Sequence, residues 1–311
     1  MQVKRTIRII FLMFLLSPIL SWSAENDPYI YILGVVQDAG FPQTGCYDVH
    51  CLPAWENTDL RRGATSIALV DPRSNRKFIF EATPHFPQQF YSLHIEAPDS
   101  RYNLEGIFLT HAHIGHYTGL MFLGHEAMGA ASVPVYAMPR MHEYLRNNGP
   151  WSQLVKFNNI DLNLLQNEQI QKFDEFSISP FLVPHRDEYS ETVGYRIQGP
   201  AKSALFIPDI DKWSDWEINI IELLHTVDYA LIDATFFADG ELGMRDMSQI
   251  PHPFVTESME LFDNLPVVEK NKVWFIHMNH TNPLLDPNSE ESKQVLRAGF
   301  NIATEGTRLP L

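Results

Sequence analysis

The chain has 311 residues, enough for one large domain or two small ones with a sizeable core. Hydrophobic residues make up 45% and charged residues 20%, which excludes a disordered chain. A formal net charge of −15 sets nucleic acid aside as a partner, because phosphates would be repelled over most of the surface; a small-molecule substrate is expected instead.

In chain order, Lys4, Arg5 and Arg8 precede the apolar run "IIFLMFLLSPIL", 9–20. That run suits a signal peptide and is too short for a confident membrane span; an uncleaved anchor is the rival reading. Ser21, Ser23 and Ala24 offer small residues for cleavage. The expectation is a signal peptide over 1–24, export to the periplasm or beyond, no stable membrane span after its removal, and one domain over 25–311. Next, "YIYILGVV", 29–36, reads as a first strand ending in the loop "DAGFPQTG". The two cysteines follow, Cys46 and Cys51, and in an exported protein a local disulfide is the plain expectation.

"TSIALV" and "KFIFEA" around "DPRSN" predict a hairpin, and "GIFLT" a buried strand. Residues 118–128 have helical propensity, with Gly129 as the stop. Strands are predicted at "VPVYAM", "SISPFLV", "TVGYRI", "SALFIPD", "YALIDAT" and "KVWFIHM". Helices are predicted over 138–147, 213–224, 254–262 and 289–298. Hairpins early and strand–helix alternation later predict an α/β sandwich: two mixed sheets face to face, with helices outside.

One feature repeats along the chain. An apolar strand ends and a potential metal ligand follows. "GIFLT" leads to "HAHIGH", which holds His111, His113 and His116; "FLVP" leads to His185; "ALFIP" to Asp209; "ALI" to Asp233; "VWFI" to His277, with His280 after it. In layered α/β folds the loops at one sheet edge converge on a site carried by rigid strands. Imidazole nitrogen and carboxylate oxygen suit zinc, and also iron or manganese.

"HAHIGH", "PHRDEYSETVGYRI", "LFIPDID" and "FIHMNH" resemble, in order, the motifs of the metallo-β-lactamase superfamily. Within it, "LGVVQDAGFPQTGC", "FIFEATPHFPQQF", "LIDATFF" and "HMNHTNPLL" are similar to the B proteins of pyrroloquinoline quinone biosynthesis. The cyclic phosphodiesterases of phosphonate breakdown share similar pieces. The resemblance implies an αββα sandwich in which His111, His113 and His185 hold a first metal, zinc by expectation. His116 and His277 would hold a second, with Asp209 bridging. Gly115 departs from the pattern, which places an aspartate there, so the second site is expected to be weaker. Unlike typical quinone-pathway relatives, this chain keeps all three histidines of the cluster.

The phosphodiesterase branch implies that His252 protonates the leaving oxygen, a role suited to a group titrating near neutrality. It also implies a structural zinc at Cys46, Cys51 and His280, completed by Asp48 or His50, as the alternative to the disulfide. The function expected is a metal-dependent hydrolase in which activated water attacks a phosphodiester or other ester-type bond. Two alternatives stand beside it: an iron-dependent oxygenase like the quinone-pathway proteins, and a metal-binding homologue without catalysis.

Overall fold

A computed structural model of the chain describes residues 27–311. The predicted signal peptide, 1–24, lies outside the described residues. The first half of the chain forms β1 (Tyr29–Gly34), β2 (Ser66–Asp71), β3 (Arg76–Phe80), β4 (Asn103–Phe108), β5 (Val133–Ala137) and β6 (Ile160–Leu164). Then come β7 (Gln171–Lys172), β8 (Ser177–Leu182), β9 (Val193–Gln198), β10 (Ser203–Ile207), β11 (Tyr229–Asp233), β12 (Val273–Ile276), β13 (Asn301–Ile302) and β14 (Arg308–Pro310). They make two seven-stranded mixed sheets, ordered β14-β1-β2-β3-β4-β5-β6 and β13-β12-β11-β10-β9-β8-β7. The predicted sandwich is therefore the one that forms.

Alternation along the strands decides which side chains meet. Ile67, Leu69, Phe78, Phe80 and Phe108 point between the sheets. There the Phe80 ring stacks on Phe108 at 5.1 Å and meets Tyr195 and Phe206 of the other sheet at 5.3 and 6.1 Å. The residues between them, Ala68, Val70, Ile79 and Ile107, pack outward with Phe86 and Leu93 of a helix over Phe86–Glu96. Burial on both faces is why these strands read as nearly unbroken apolar runs. The Phe86–Glu96 helix was not legible in the sequence. Its proline falls in the first turn, where a missing N–H costs nothing.

Predicted helices at 138–147, 254–262 and 289–298 form over Pro139–Asn147, Val255–Leu261 and Glu290–Arg297. Two others are corrected. In place of a helix over 118–128, a short α-helix at Ile114–Tyr117 runs into a 3-10 helix at Thr118–Leu123. The cause is Gly119, whose N–H donates to the Ala82 carbonyl at 2.8 Å instead of to its own helix. A Cβ at Gly119 would lie 2.1 Å from the Thr83 carbonyl oxygen. The segment 213–224 breaks into a 3-10 turn at Trp213–Asp215 and a helix at Ile220–Leu224, because the Asn219 side chain accepts from the Ile221 N–H and caps a new start. Gly119→Ala should therefore cost about 1–3 kcal/mol through overpacking against backbone. Urea unfolding checks this, and an unchanged midpoint would refute the tight contact.

The connections bring strand ends to one edge. β3 through β6 run parallel, as do β10 through β13, so each set presents its carboxyl ends together. Val36, just beyond β1, bridges both Ala64 and Met278, which joins the two sheets at that edge. No helix among the described residues is long and apolar enough to cross a membrane.

Candidate metal centre

β4 ends in the buried residues Gly106, Ile107 and Phe108, so the chain leaves the core past Thr110 carrying His111 and His113, and turns into the Ile114–Tyr117 helix carrying His116. His185 comes from the loop between β8 and β9, Asp209 from the end of β10, Asp233 ends β11, and His277 follows β12. His277 holds a left-handed backbone, φ 69°, unusual for a side-chain-bearing residue and common at functional sites.

Three imidazoles converge. His111 Nε2 lies 2.9 Å from His113 Nδ1, and His185 Nε2 lies 3.3 Å from the same atom. Asp209 Oδ2 is 3.3 Å from both His111 Nε2 and His185 Nε2. A second group adjoins it. His116 Nε2 sits 3.6 Å from Asp209 Oδ2, and the donor atoms of Asp38, His116 and His277 lie within 4.8 Å of one another. The six residues expected to bind metal are thus brought to one place.

The outer nitrogen of every one of these imidazoles is held by an oxygen. His111 Nδ1 meets Thr110 Oγ1 at 2.8 Å, His113 Nε2 meets Glu188 at 2.9 Å, and His185 Nδ1 meets Asp211 at 2.9 Å. His116 Nδ1 meets Glu81 at 3.0 Å and His277 Nδ1 meets Thr235 Oγ1 at 3.0 Å. Metal-ligating histidines are fixed in this way, one nitrogen on an oxygen partner and the other turned to the ion. The inward atoms include His116 Nε2 and His277 Nε2, both buried and without a hydrogen-bond partner. Buried polar atoms left unpaired are costly, and a cation between these two imidazoles would satisfy both. The donor set fits a divalent metal of the zinc, iron or manganese kind.

The electrostatics favour the neutral imidazole at three of these histidines and positive charge at the other two, where carboxylates crowd in. Burial holds His111 well below the usual histidine range, and burial also lowers His113 and His277, favouring the neutral, ligating form. Burial opposes charge on His116, yet the Glu81 and Asp38 carboxylates outweigh it and pull that imidazole well above its ordinary range. His185 is likewise pushed up to about 10, Asp209 and Asp211 overriding burial. Burial works against the Asp209 carboxylate, but His185, His252 and His277 hold it well below the usual range.

His252 stands beside this group. Its Nδ1 is 2.8 Å from Asp233 Oδ2 and 3.2 Å from Asp209 Oδ1. Asp233 is itself placed by the Ile210 N–H at 3.1 Å and by the Thr235 N–H and hydroxyl at 2.8 and 2.7 Å. Against the cost of burial, Asp233 and Asp209 raise the His252 pKa.

Two carboxylates were missed in the sequence. Glu81, directly after β3 and fully buried, accepts from the Thr110 N–H at 2.9 Å and holds His116. Asp38, beyond β1, reaches to 3.5 Å from His116 Nε2. Both obey the strand-end rule that located the other site residues.

Away from the centre, the structure joins Cys46 to Cys51 in a disulfide, with His50 Nε2 3.3 Å from the Cys46 sulfur. The His280 ring lies 5.6 Å from that of His50, and the donor atoms of these four residues fall within 4.8 Å of one another. Asp48 stands outside this group. Its carbonyl accepts from the N–H groups of Cys51 and Leu52 and so serves the turn.

Residues 76–278 match the protein family described as Beta-lactamase superfamily domain. The chain is similar to coenzyme PQQ synthesis protein B of Pseudomonas putida, 26% identical over 313 residues that cover 91% of this chain and 100% of the relative. The protein of that name from Nitrosococcus oceani is 24% identical, covering 89% of this chain and 98% of its own. Among solved structures, zinc-bound PqqB from Methylobacterium extorquens is similar with a TM-score of 0.75 and 22% identity, covering 91% of this chain and 100% of that one. A diphosphatase of the PhnP family is similar with a TM-score of 0.62 and 21% identity, covering 91% and 97%. At these identities the two structures speak to the fold.

Proposed function

The chain belongs to the beta-lactamase superfamily, and on that premise we propose that it is a metal-dependent hydrolase acting on a phosphodiester or other ester-type bond of a small molecule. The observation that carries this reading is the shared design of the five imidazoles, each fixed at its outer nitrogen by an oxygen, with the other nitrogen left for an ion. Rigid strand ends hold them, and precise donor placement is what a catalytic metal site requires. His111, His113, His185 and Asp209 would hold one ion, and His116 and His277 with Asp209 a second. A bound divalent ion supplies a water of pKa roughly 7 and takes up negative charge developing on the scissile group. The protein's own residues do the remaining work. Glu188, Asp211, Glu81 and Thr235 fix the ring orientations. Asp233 holds His252 by Nδ1, so a proton at Nε2 is the one free to pass to a leaving oxygen.

Metal analysis of protein purified without chelator, with phosphodiesters, diphosphates, lactones and thioesters tried on the same sample, tests the proposal. The expected result is bound metal, turnover of at least one ester class, loss of turnover with a chelator, and recovery on adding zinc or manganese. Full turnover in a verified metal-free sample would sink it. Substrate-linked oxygen uptake with iron but not zinc would favour the oxygenase alternative. Tight metal binding without turnover across the panel would favour a binding protein.

A further inference from the structure

The position of Gly115 is occupied by another residue's side chain. A Cβ built on Gly115 would lie 2.3 Å from both Cα and Oδ1 of Asp38 and 2.9 Å from its Cβ. Asp38 and any side chain at 115 therefore exclude one another. The Asp38 loop is brought there by stitching between the sheets. The Gln37 N–H donates to the Met278 carbonyl at 2.8 Å, the Met278 N–H donates to Val35 at 2.9 Å, and the Asn279 amide donates to Gln37 Oε1 at 2.6 Å. This ties the end of β1 to the very turn that presents His277. Asp38 itself takes a left-handed backbone, φ 32°, a conformation aspartate tolerates better than most residues.

Asp38 Oδ1, His116 Nε2 and His277 Nε2 are each buried and lack a hydrogen-bond partner. Their separation, 3.5 Å from Asp38 Oδ1 to His116 Nε2, is too long for an ordinary hydrogen bond. His116 is 1% exposed and His277 0%, so water does not satisfy them. Three unpaired donor atoms of the right chemistry, with Asp209 Oδ2 3.6 Å from His116 Nε2, make an incomplete shell that one cation completes.

We infer that Asp38 is a ligand of the second metal ion, supplying from the loop after β1 the carboxylate that Gly115 cannot supply. The inference rests on the metal-centre reading above. It reverses the expectation that Gly115 leaves the second site weak. With Asp38 the shell becomes two imidazoles and two carboxylates, and Gly115 is the residue that makes room for one of them.

The test is zinc stoichiometry and affinity, measured on metal-stripped protein titrated with zinc alone. Wild type is expected to bind two ions firmly. Asp38→Asn keeps the shape of the side chain and should bind one ion firmly, with the second weakened at least 10–100-fold, the loss typical even of outer partners. Gly115→Ala removes no ligand atom, yet its Cβ should displace Asp38 and weaken the same ion. Retention of the first ion shows that either variant is folded. Two firmly bound ions in Asp38→Asn, or in Gly115→Ala, would overturn the inference. So would a wild type with one firm and one weak ion, which leaves the metal centre itself standing. A wild type that binds no zinc, iron or manganese would instead overturn the metal-centre reading.

Discussion

His113→Ala is expected to abolish turnover, a loss of more than roughly 10³-fold, and to remove one bound ion per chain while the second stays. The size of the effect follows from where His113 sits. Its Nδ1 is the atom that both His111 Nε2 and His185 Nε2 approach, at 2.9 and 3.3 Å, so it completes the first donor set. Alanine leaves two imidazoles and Asp209 facing a gap that water enters, since the His113 side chain is 17% exposed. The scaffold should tolerate the change, because His113 lies outside the apolar cores that hold the sheets together. Metal analysis and thermal unfolding of the same preparation separate lost metal from lost fold. Wild-type turnover by a metal-free His113→Ala protein would contradict both the site and the proposed function. Glu188→Gln should move the same quantities less, as it keeps an acceptor for the outer nitrogen and removes only its negative charge.

How far the sequence carried this site is instructive at particular residues. The strand-end pattern located His111, His113, His185, Asp209, Asp233 and His277 because each lies at or within a few residues of the end of an apolar run long enough to be a buried strand. The same pattern holds for Glu81 after "FIF" and Asp38 after "ILGVVQ". A lone acidic residue at a strand end, however, looks the same as one that merely starts a turn. What distinguishes these two is tertiary. Glu81 gains its meaning from the Thr110 N–H and His116, and Asp38 from pairing of the β1 loop with the turn at Met278. Gly115 was legible as a departure but not as an accommodation, since the side chain that fills its space comes from far away in the chain. The two sheets were legible through their apolar alternation. The fate of 118–128 was not, because a backbone contact at Gly119 overrides helix propensity there.

His252→Asn carries the second large effect: a fall in kcat of about 10²–10⁴-fold with both metal ions retained. His252 Nδ1 is engaged by Asp233 at 2.8 Å, so the ring is oriented with Nε2 as its working atom. Asparagine keeps a polar group facing Asp233 and Asp209 but offers no proton of suitable acidity. The leaving group decides between a proton donor and a mere spacer. With an ester of a poor leaving group, such as an alkyl alcohol, the full loss should appear. With a nitrophenol ester, whose leaving oxygen needs no proton, most of the loss should vanish, because only the step that His252 assists has been removed. Asp233→Asn should shift kcat in the same direction by a smaller factor, since it frees the ring without deleting it. An equal loss with both leaving groups would show that His252 positions substrate or metal and does not donate a proton. A loss accompanied by missing metal would assign it to the ligand shell through its contact with Asp209 at 3.2 Å.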